Sequence, residues 1–426
     1  MKKPTIAIAG LGYVGLPLAL LVKKRGYNVL GIDINKQKVD KINRGISPFK
    51  DSYLQHELTN YPIKATTSFS KLSDASVIII CVPTPVLPSK LPDYRHIISV
   101  CSNIAPHLKT EQLVVLESTV NPGVSEEIIL PILESGSNRK CGKDFSLAHC
   151  PERINPGDID WRVDNISRVV GGFDKKSLDK ALEFYRSIIE ADVKPMFSLK
   201  EAEAVKIVEN SFRNINIAFV NELAKSFSKL GIDVVNVING ASTKPFSFMP
   251  HFPGCGIGGH CIPLDPYYLI DYADKHGFNH ELIKLSCQIN ESMPFYTISL
   301  LEEALESIDL KLSNSTIAVL GLSYKENVDD IRESPSLEII NDINKRGGTV
   351  RIFDPHVPNK STVKSLSLAL KNAQAAVITV AHTKLVQEIS PEIFLKNNIK
   401  IVIDGRNCLD KEPYQKAGII YHGIGR

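Results

Sequence analysis

Cys261 stands inside a glycine-rich stretch, PGCGIGGHCIPLDPYY from Pro253 to Tyr268, four residues before Asp265. The glycines deny this stretch a regular helix or strand, so it reads as a bend. A buried free cysteine is ordinarily a small hydrophobe, and packing is the expectation for the other seven of the eight cysteines. Cys261 differs because a thiolate nucleophile needs a polar, electropositive turn. A second set of residues carries a different chemistry. Gly10, Gly12 and Gly15 follow an apolar run and open a helical pattern, and Asp33 ends the next strand-like run. Glycines at that spacing allow a tight turn and bring backbone N–H groups to a pyrophosphate, and an acid about twenty residues on binds a ribose diol. Asp33 would repel a 2′-phosphate, which favours NAD over NADP, while Lys36 and Lys38 pull the other way. A dinucleotide site plus a nucleophilic cysteine suggests oxidation through a thioester: sulfur adds to an aldehyde and the adduct loses hydride. Oxidation of an alcohol alone needs no such cysteine.

The elements that must position these groups alternate. Thr5 to Gly10 reads as a strand and Val14 to Arg25 as a helix. NVLGID, Ser76 to Val82, Gln112 to Thr119 and Asp144 to Cys150 are further apolar runs. Short apolar runs separated by helical segments predict a parallel, doubly wound sheet, whose ligands sit beyond the carboxyl ends of the strands. Those ends read Val82-Pro83-Thr84-Pro85, Glu117-Ser118-Thr119 and His149-Cys150-Pro151-Glu152-Arg153. From about Lys200 to Leu230 there is no Pro or Gly, and one long helix is predicted. Lys206, Asn210 and Arg213 share one face of it, either a solvated face or a ligand-facing stripe. The last third repeats the first pattern: TIAVLGLSYK from Thr316 to Lys325 parallels TIAIAGLGYV, then come a helix from Ser336 to Lys345 and strands TVRIFDP, AAVITVAHT and KIVIDGRN. Lys325 replaces the fingerprint glycines. It is either a surface lysine or a countercharge for a diphosphate. Ser334 and Pro335 suit the N-cap and first turn of the following helix, and Arg332 suits phosphate.

With 426 residues the chain has room for two or three domains. A net charge of +3 is too small to argue for nucleic acid. The cysteines are scattered without a CxxC pair, which fits a reducing cytosol. Pro4 to Val22 carries no charge and is superficially like a signal peptide or membrane span, but Gly10, Gly12 and Gly15 break it after a strand-sized run. A cytoplasmic protein without membrane insertion is expected, and no residue is assigned to a metal.

Together GLGYVGLPLA, CVPTP, ESTVNPG, CPERINPGD, the long helix with Lys206 and Asn210, GIGGHCIPLDPYYL and GLSYKENVDDIRESPS resemble the UDP-glucose/GDP-mannose dehydrogenase family along nearly the whole chain. The resemblance implies an α/β protein of two Rossmann-like doubly wound domains joined by a long central helix and a helical dimerisation region. The expected domains are 1–199 for NAD, 200–310 for dimerisation and the cysteine loop, and 311–426 for the UDP-sugar. It further implies NAD, a homodimer through the central helix, and two successive oxidations of a sugar C6 alcohol to a carboxylate. By resemblance Cys261 is the nucleophile, Lys206 and Asn210 stabilise the oxyanion, Asp265 and Thr119 order a water, and Glu152 is the base of thioester hydrolysis. Gly10, Gly12, Tyr13, Val14, Gly15, Asp33, Thr84, Ser118, Thr119 and Arg332 belong to the NAD site. Glu152, Arg153, Lys206, Asn210, Arg213, Lys244, Gly258, His260 and Lys325 belong to the sugar-nucleotide site, with the glycine bend letting backbone approach the sugar. His260, Arg153 and Arg213 with Asn214 resemble the acetamido-sugar branch. A UDP-N-acetylhexosamine is therefore expected, UDP-N-acetylglucosamine ahead of UDP-N-acetylmannosamine on the INPGD segment, and UDP-glucose behind both. Two other readings are a two-electron β-hydroxyacid dehydrogenase and a non-enzymatic NAD sensor. The third domain and Cys261 argue against the first, and Cys261, Lys206 and Asp265 together against the second.

Overall fold

A computed structural model describes residues 3–49, 51–87, 89–154 and 160–426. They form two compact units, one of 3–209 with Tyr267–Gly277 and one of Asn210–Pro266 with Phe278–Arg426. Residues 200–310 are thus shared between the units, and the long helix, Leu199–Leu230, contributes to both.

In the first unit the strands are β1 (Thr5–Ala9), β2 (Asn28–Ile32), β3 (Lys64–Thr66), β4 (Ala75–Ile80), β5 (Leu113–Leu116), β6 (Ser146–His149), β7 (Arg168–Gly172) and β8 (Val193–Pro195). Their order is β3-β2-β1-β4-β5-β6-β7-β8. The strand order reverses between β1 and β4, and a doubly wound sheet opens a ligand crevice there. Period-two alternation divides each strand between two cores: Ile6 and Ile8 pack on one face of the sheet, Ala7 and Ala9 on the other. The sheet is not wholly parallel, because β7 runs antiparallel to β6. Among the described residues no helix is assigned between those two strands, so no crossover returns the chain to the starting edge. The charge-free run Pro4 to Val22 is β1, a tight turn and the helix Gly15–Lys24.

The second unit holds β9 (Thr316–Leu320), β10 (Thr349–Phe353), β11 (Ala375–Ile378), β12 (Ile401–Asp404) and β13 (Ile420–Gly423) in the order β10-β9-β11-β12-β13, all parallel. Ile317 and Val319 face one core, Ala318 and Leu320 the other. Ser334 caps the helix Pro335–Lys345, its Oγ accepting from Ser336 N. Among the described residues no helix is long and apolar enough to cross a membrane.

Candidate active site

In the first unit the turn after β1 is built by glycine. Gly10 has φ +97°, and a Cβ there would lie 2.4 Å from Cys81 O. A Cβ on Gly15 would lie 1.9 Å from Gly10 O, whereas one on Gly12 meets nothing within 4 Å. Gly10 and Gly15 therefore fold the turn and Gly12 keeps its face open, the cradle a pyrophosphate needs. Val14 caps the following helix without a side-chain bond, and the exposed Tyr13 ring lies 4.1 Å from Phe49. Asp33 is buried and accepts from Leu11 N at 3.0 Å, Asn35 N at 2.9 Å and Lys38 Nζ at 2.6 Å. Lys38 is therefore turned onto the acid, a contact that spacing alone did not reveal. These residues fit the adenosine half of NAD. At the ends of β4 and β5, Ser118 Oγ accepts from Val82 N at 3.0 Å and donates to Val82 O at 2.8 Å, clamping the two loops together. Thr84 O accepts from Tyr268 OH. Half-buried Thr119 follows, and the loop beyond it is held by buried Glu203, which accepts from Gly123 N at 2.5 Å and Ser125 N at 2.8 Å.

Glu152 lies past β6 with Oε1 buried and without a hydrogen-bond partner. Burial pushes its carboxyl up to about 7, against the pull of Lys206 and Arg168. A carboxyl in that range is matched to proton transfer near neutrality. Arg153 forks onto Glu209, 2.5 Å from Nη2 to Oε1, and donates from Nη1 to Ser167 O at 2.8 Å. Positions 155–158 of the CPERINPGD segment lie outside the described residues.

The second unit contains the cysteine bend. Gly254 N donates to Asn221 Oδ1 at 3.0 Å, Cys255 N to Gly405 O at 2.8 Å, and Arg406 Nη1 to Gly256 O at 3.1 Å. Next to the nucleophile, Asn214 Nδ2 donates to Ile262 O at 3.1 Å, and Asp265 N returns to Cys261 O at 2.8 Å. Asn210 Nδ2 donates to Asp265 Oδ2 at 2.5 Å. One face of the long helix thus holds both sides of the Cys261 turn, which assigns Asn210 to a polar site rather than a solvated face. The glycines do something the sequence did not foretell. A Cβ on Gly258 would lie 2.7 Å from the Tyr324 side chain, and one on Gly259, at φ +85°, 2.8 Å from the same ring. They let the bend close on the Ser323–Tyr324–Lys325 loop. Gly259 N also donates to Arg332 O at 3.1 Å. Arg332 forks onto Asp330, and Cys261 is among the groups acting electrostatically on its guanidinium. Half-buried Lys325 lies in the same loop, and its carbonyl accepts from Ser323 Oγ at 2.7 Å. His260 and Arg213 are exposed, and Lys244 Nζ sits 4.8 Å from the centre of the Phe246 ring. Arg406, missed in the sequence, stands just past β12, where a strand-end polar residue is a fair signal.

The chain matches the UDP-glucose/GDP-mannose dehydrogenase family in three successive parts: its NAD binding domain over residues 4–189, its central domain over 200–292 and its UDP binding domain over 318–411. It is 38% identical to a UDP-N-acetyl-D-mannosamine dehydrogenase of Pyrococcus horikoshii, over 99% of each chain. It is 37% identical to a UDP-N-acetyl-D-glucosamine 6-dehydrogenase of Pseudomonas aeruginosa, over 84% of each. The solved structure of the P. horikoshii UDP-D-ManNAc dehydrogenase superposes with a TM-score of 0.93 at 37% identity, covering 99% of each chain.

Proposed function

Since the chain belongs to the UDP-glucose/GDP-mannose dehydrogenase family and is an NAD-dependent nucleotide-sugar 6-dehydrogenase, we propose that it oxidises the C6 hydroxyl of a UDP-N-acetylhexosamine to the carboxylate through a thioester on Cys261. The observation that carries this reading is the Cys261 turn itself: a thiol on a glycine bend, buttressed by Asn214 and by the Asn210–Asp265 pair, against the Lys325 loop. NAD, when bound, supplies the hydride acceptor for both oxidations. The residues of the chain do the rest. The Cys261 thiolate adds to C6 of the aldehyde, and the oxyanion so formed is balanced by the Lys206 ammonium and the Asn210 amide. After the second oxidation Glu152 takes a proton from the attacking water, the C6–S bond breaks, and the thiolate is restored. Lys325 pairs with the diphosphate, and Arg332 reaches the cofactor.

For the sugar, exposed His260 and Arg213 are the donors we assign to an acetamido group. A site built for its carbonyl penalises a sugar lacking it, because the donors are stranded. We order the manno epimer ahead of the gluco epimer, a reading supported by the match to a UDP-N-acetyl-D-mannosamine dehydrogenase over 99% of both chains. A homodimer is supported by exposed Phe212 and Phe219 on the long helix and Leu282 and Leu285 on the helix Glu281–Glu291.

The test is a panel of UDP-N-acetylmannosamine, UDP-N-acetylglucosamine and UDP-glucose with NADH and uronate counted together. Two NADH per uronate and a preference for an acetamido sugar are expected. One NADH per sugar, or a preference for UDP-glucose, overturns the corresponding half of the proposal. Cys261→Ser should abolish uronate formation while leaving NAD affinity within about twofold, because the nucleophile is separate from the dinucleotide loop.

A further inference from the structure

Arg168, the first residue of β7, is among the largest fully buried side chains. Its Nη1 lies 3.8 Å from Glu117 Oε2, and neither side chain has any exposure. Tyr185 OH donates to Glu117 Oε1 at 2.5 Å. Arg168 also holds the main chain beside Glu152: its Nη1 donates to Pro151 O at 3.4 Å, next to the backbone bond from Glu152 N to Glu117 O at 3.3 Å. An ion pair this deep is weak evidence for stability, because apolar replacements of such pairs are often neutral or better. Its placement points to a local task.

We propose that Arg168 and Glu117 are positioning residues that fix Glu152 and set its charge state for the hydrolytic half of the reaction. This rests on the reading of Glu152 as base. The charges acting on Glu152 come from β7, the long helix and the end of β5. Arg168 from β7 and Lys206 from the long helix favour the carboxylate, while Glu117 beyond β5 and Glu209 from the long helix disfavour it. The Cys81 and Cys150 thiols are held protonated by burial. His149 is held neutral, its imidazole pushed down to about 3 by burial. Arg168 and Glu117 therefore act on Glu152 with opposite sign from the same buried pocket, and neither meets solvent that would screen it.

The test titrates the Glu152 carboxyl by infrared difference, each protein minus its Glu152→Gln counterpart, in the full chain with NAD bound. Acid release in a single turnover from the UDP-sugar aldehyde is followed beside it. Arg168→Met should raise the Glu152 titration by about one pH unit and move the acid limb of acid release upward with it. Glu117→Gln should lower both. The double variant removes both charges and should return the titration to within about half a unit of wild type. Should Arg168→Met not fold, the upward step from Glu117→Gln to the double variant isolates the arginine. Shifts of the same sign, or no shift in either, overturn the proposal. If the titrations move as stated but Glu152→Gln releases acid at the wild-type rate, the positioning stands and the base assignment falls. If Glu152→Gln blocks acid release while the titrations stay fixed, the base assignment stands and the positioning falls.

Discussion

Two loops in this molecule have the same beginning and opposite ends. Each follows the first strand of its sheet, β1 or β9. Each starts on a glycine with positive φ, +97° at Gly10 and +107° at Gly321. Each is tied to an acid past the neighbouring strand, Leu11 N to Asp33 and Leu322 N to Asp354. The first loop stays open at Gly12. The second is filled by its own chain. Asp354 accepts from Leu322, Ser323, His356 and Val357 N–H groups and from His382 Nε2 at 3.0 Å. Asn327 N donates to His382 Nδ1, which puts the imidazole hydrogen on Nε2. Ser323, His382 and Asp354 are not a hydrolytic triad, because the same nitrogen meets both serine and acid. The lesson is that a strand-end acid marks a ribose site only if its own loop leaves it capacity. Asp354 has been spent on shaping the loop that presents Lys325.

The largest effect that would break this contrast is at Asp354. Asp354→Ala leaves His382 and four N–H groups without their acceptor and should cost about 3–5 kcal/mol in denaturant unfolding. Asp33→Ala should instead act chiefly on NAD affinity. Burial alone would raise the Asp354 carboxyl, but His382 and the backbone donors hold it down to about 2. A depressed carboxylate contributes stability above its unfolded value of about 4 and loses it as pH falls toward the folded value. The gap between wild type and Asp354→Ala should therefore close between about pH 4 and pH 2. A gap that widens on acidification would show that the carboxylate is not the stabilising form.

Gly12→Ala comes next. Its Cβ enters open space, so the melting temperature should stay within about 1 °C while NAD affinity falls at least tenfold, roughly 1.4 kcal/mol. Gly321→Ala should do the reverse. Its Cβ would lie 2.6 Å from that of Val380 at a φ that strains alanine, so stability falls and NAD affinity does not. Calorimetric titration and thermal melts separate the two. Equal NAD loss in both would erase the distinction between an open and a filled loop. Lys325→Ala, which removes the charge the filled loop carries, should weaken UDP-sugar binding about five- to tenfold and NAD binding by less than twofold.

Much of this was written in local pattern. β1, β2, β4 to β6 and β9 to β12 are apolar runs ending in polar or rigid residues, and Ser334 announces its helix. What stayed hidden is carried by partners far apart in the chain. β3 and β8 have three residues each and no readable alternation. β7 begins with Arg168, whose burial depends on Glu117 fifty-odd residues earlier, a separation no periodicity spans. The glycines around Cys261 were expected to make room for a sugar. Two of them are also required by the Tyr324 side chain, which the sequence did not announce. Asn214 and Asn221 are poor helix formers whose presence inside the long helix makes sense only once Ile262 O and Gly254 N are in place.

The smallest effect sharpens the open loop. Lys38 Nζ lies 2.6 Å from Asp33 Oδ2, with side-chain exposures of 23% and 7%. The carboxylate that should accept the ribose diol and repel a 2′-phosphate is thus paired with a cation of its own chain. Lys38→Met removes the countercharge and leaves the N-cap bond from Lys38 N to Asn35 intact, since that bond uses the backbone. The helix Lys36–Asn43 should keep its stability. The bare carboxylate then repels a third phosphate more strongly, while the diol gains an acceptor. A partly screened pair of this kind is worth about 1 kcal/mol, so the ratio of kcat/KM for NAD over NADP should rise about fivefold. Asp33→Asn should lower the same ratio by more. A ratio that falls in Lys38→Met would mean the ammonium contributes more to holding NAD than to masking Asp33, and the open loop would then, like the filled one, owe its selectivity to a lysine.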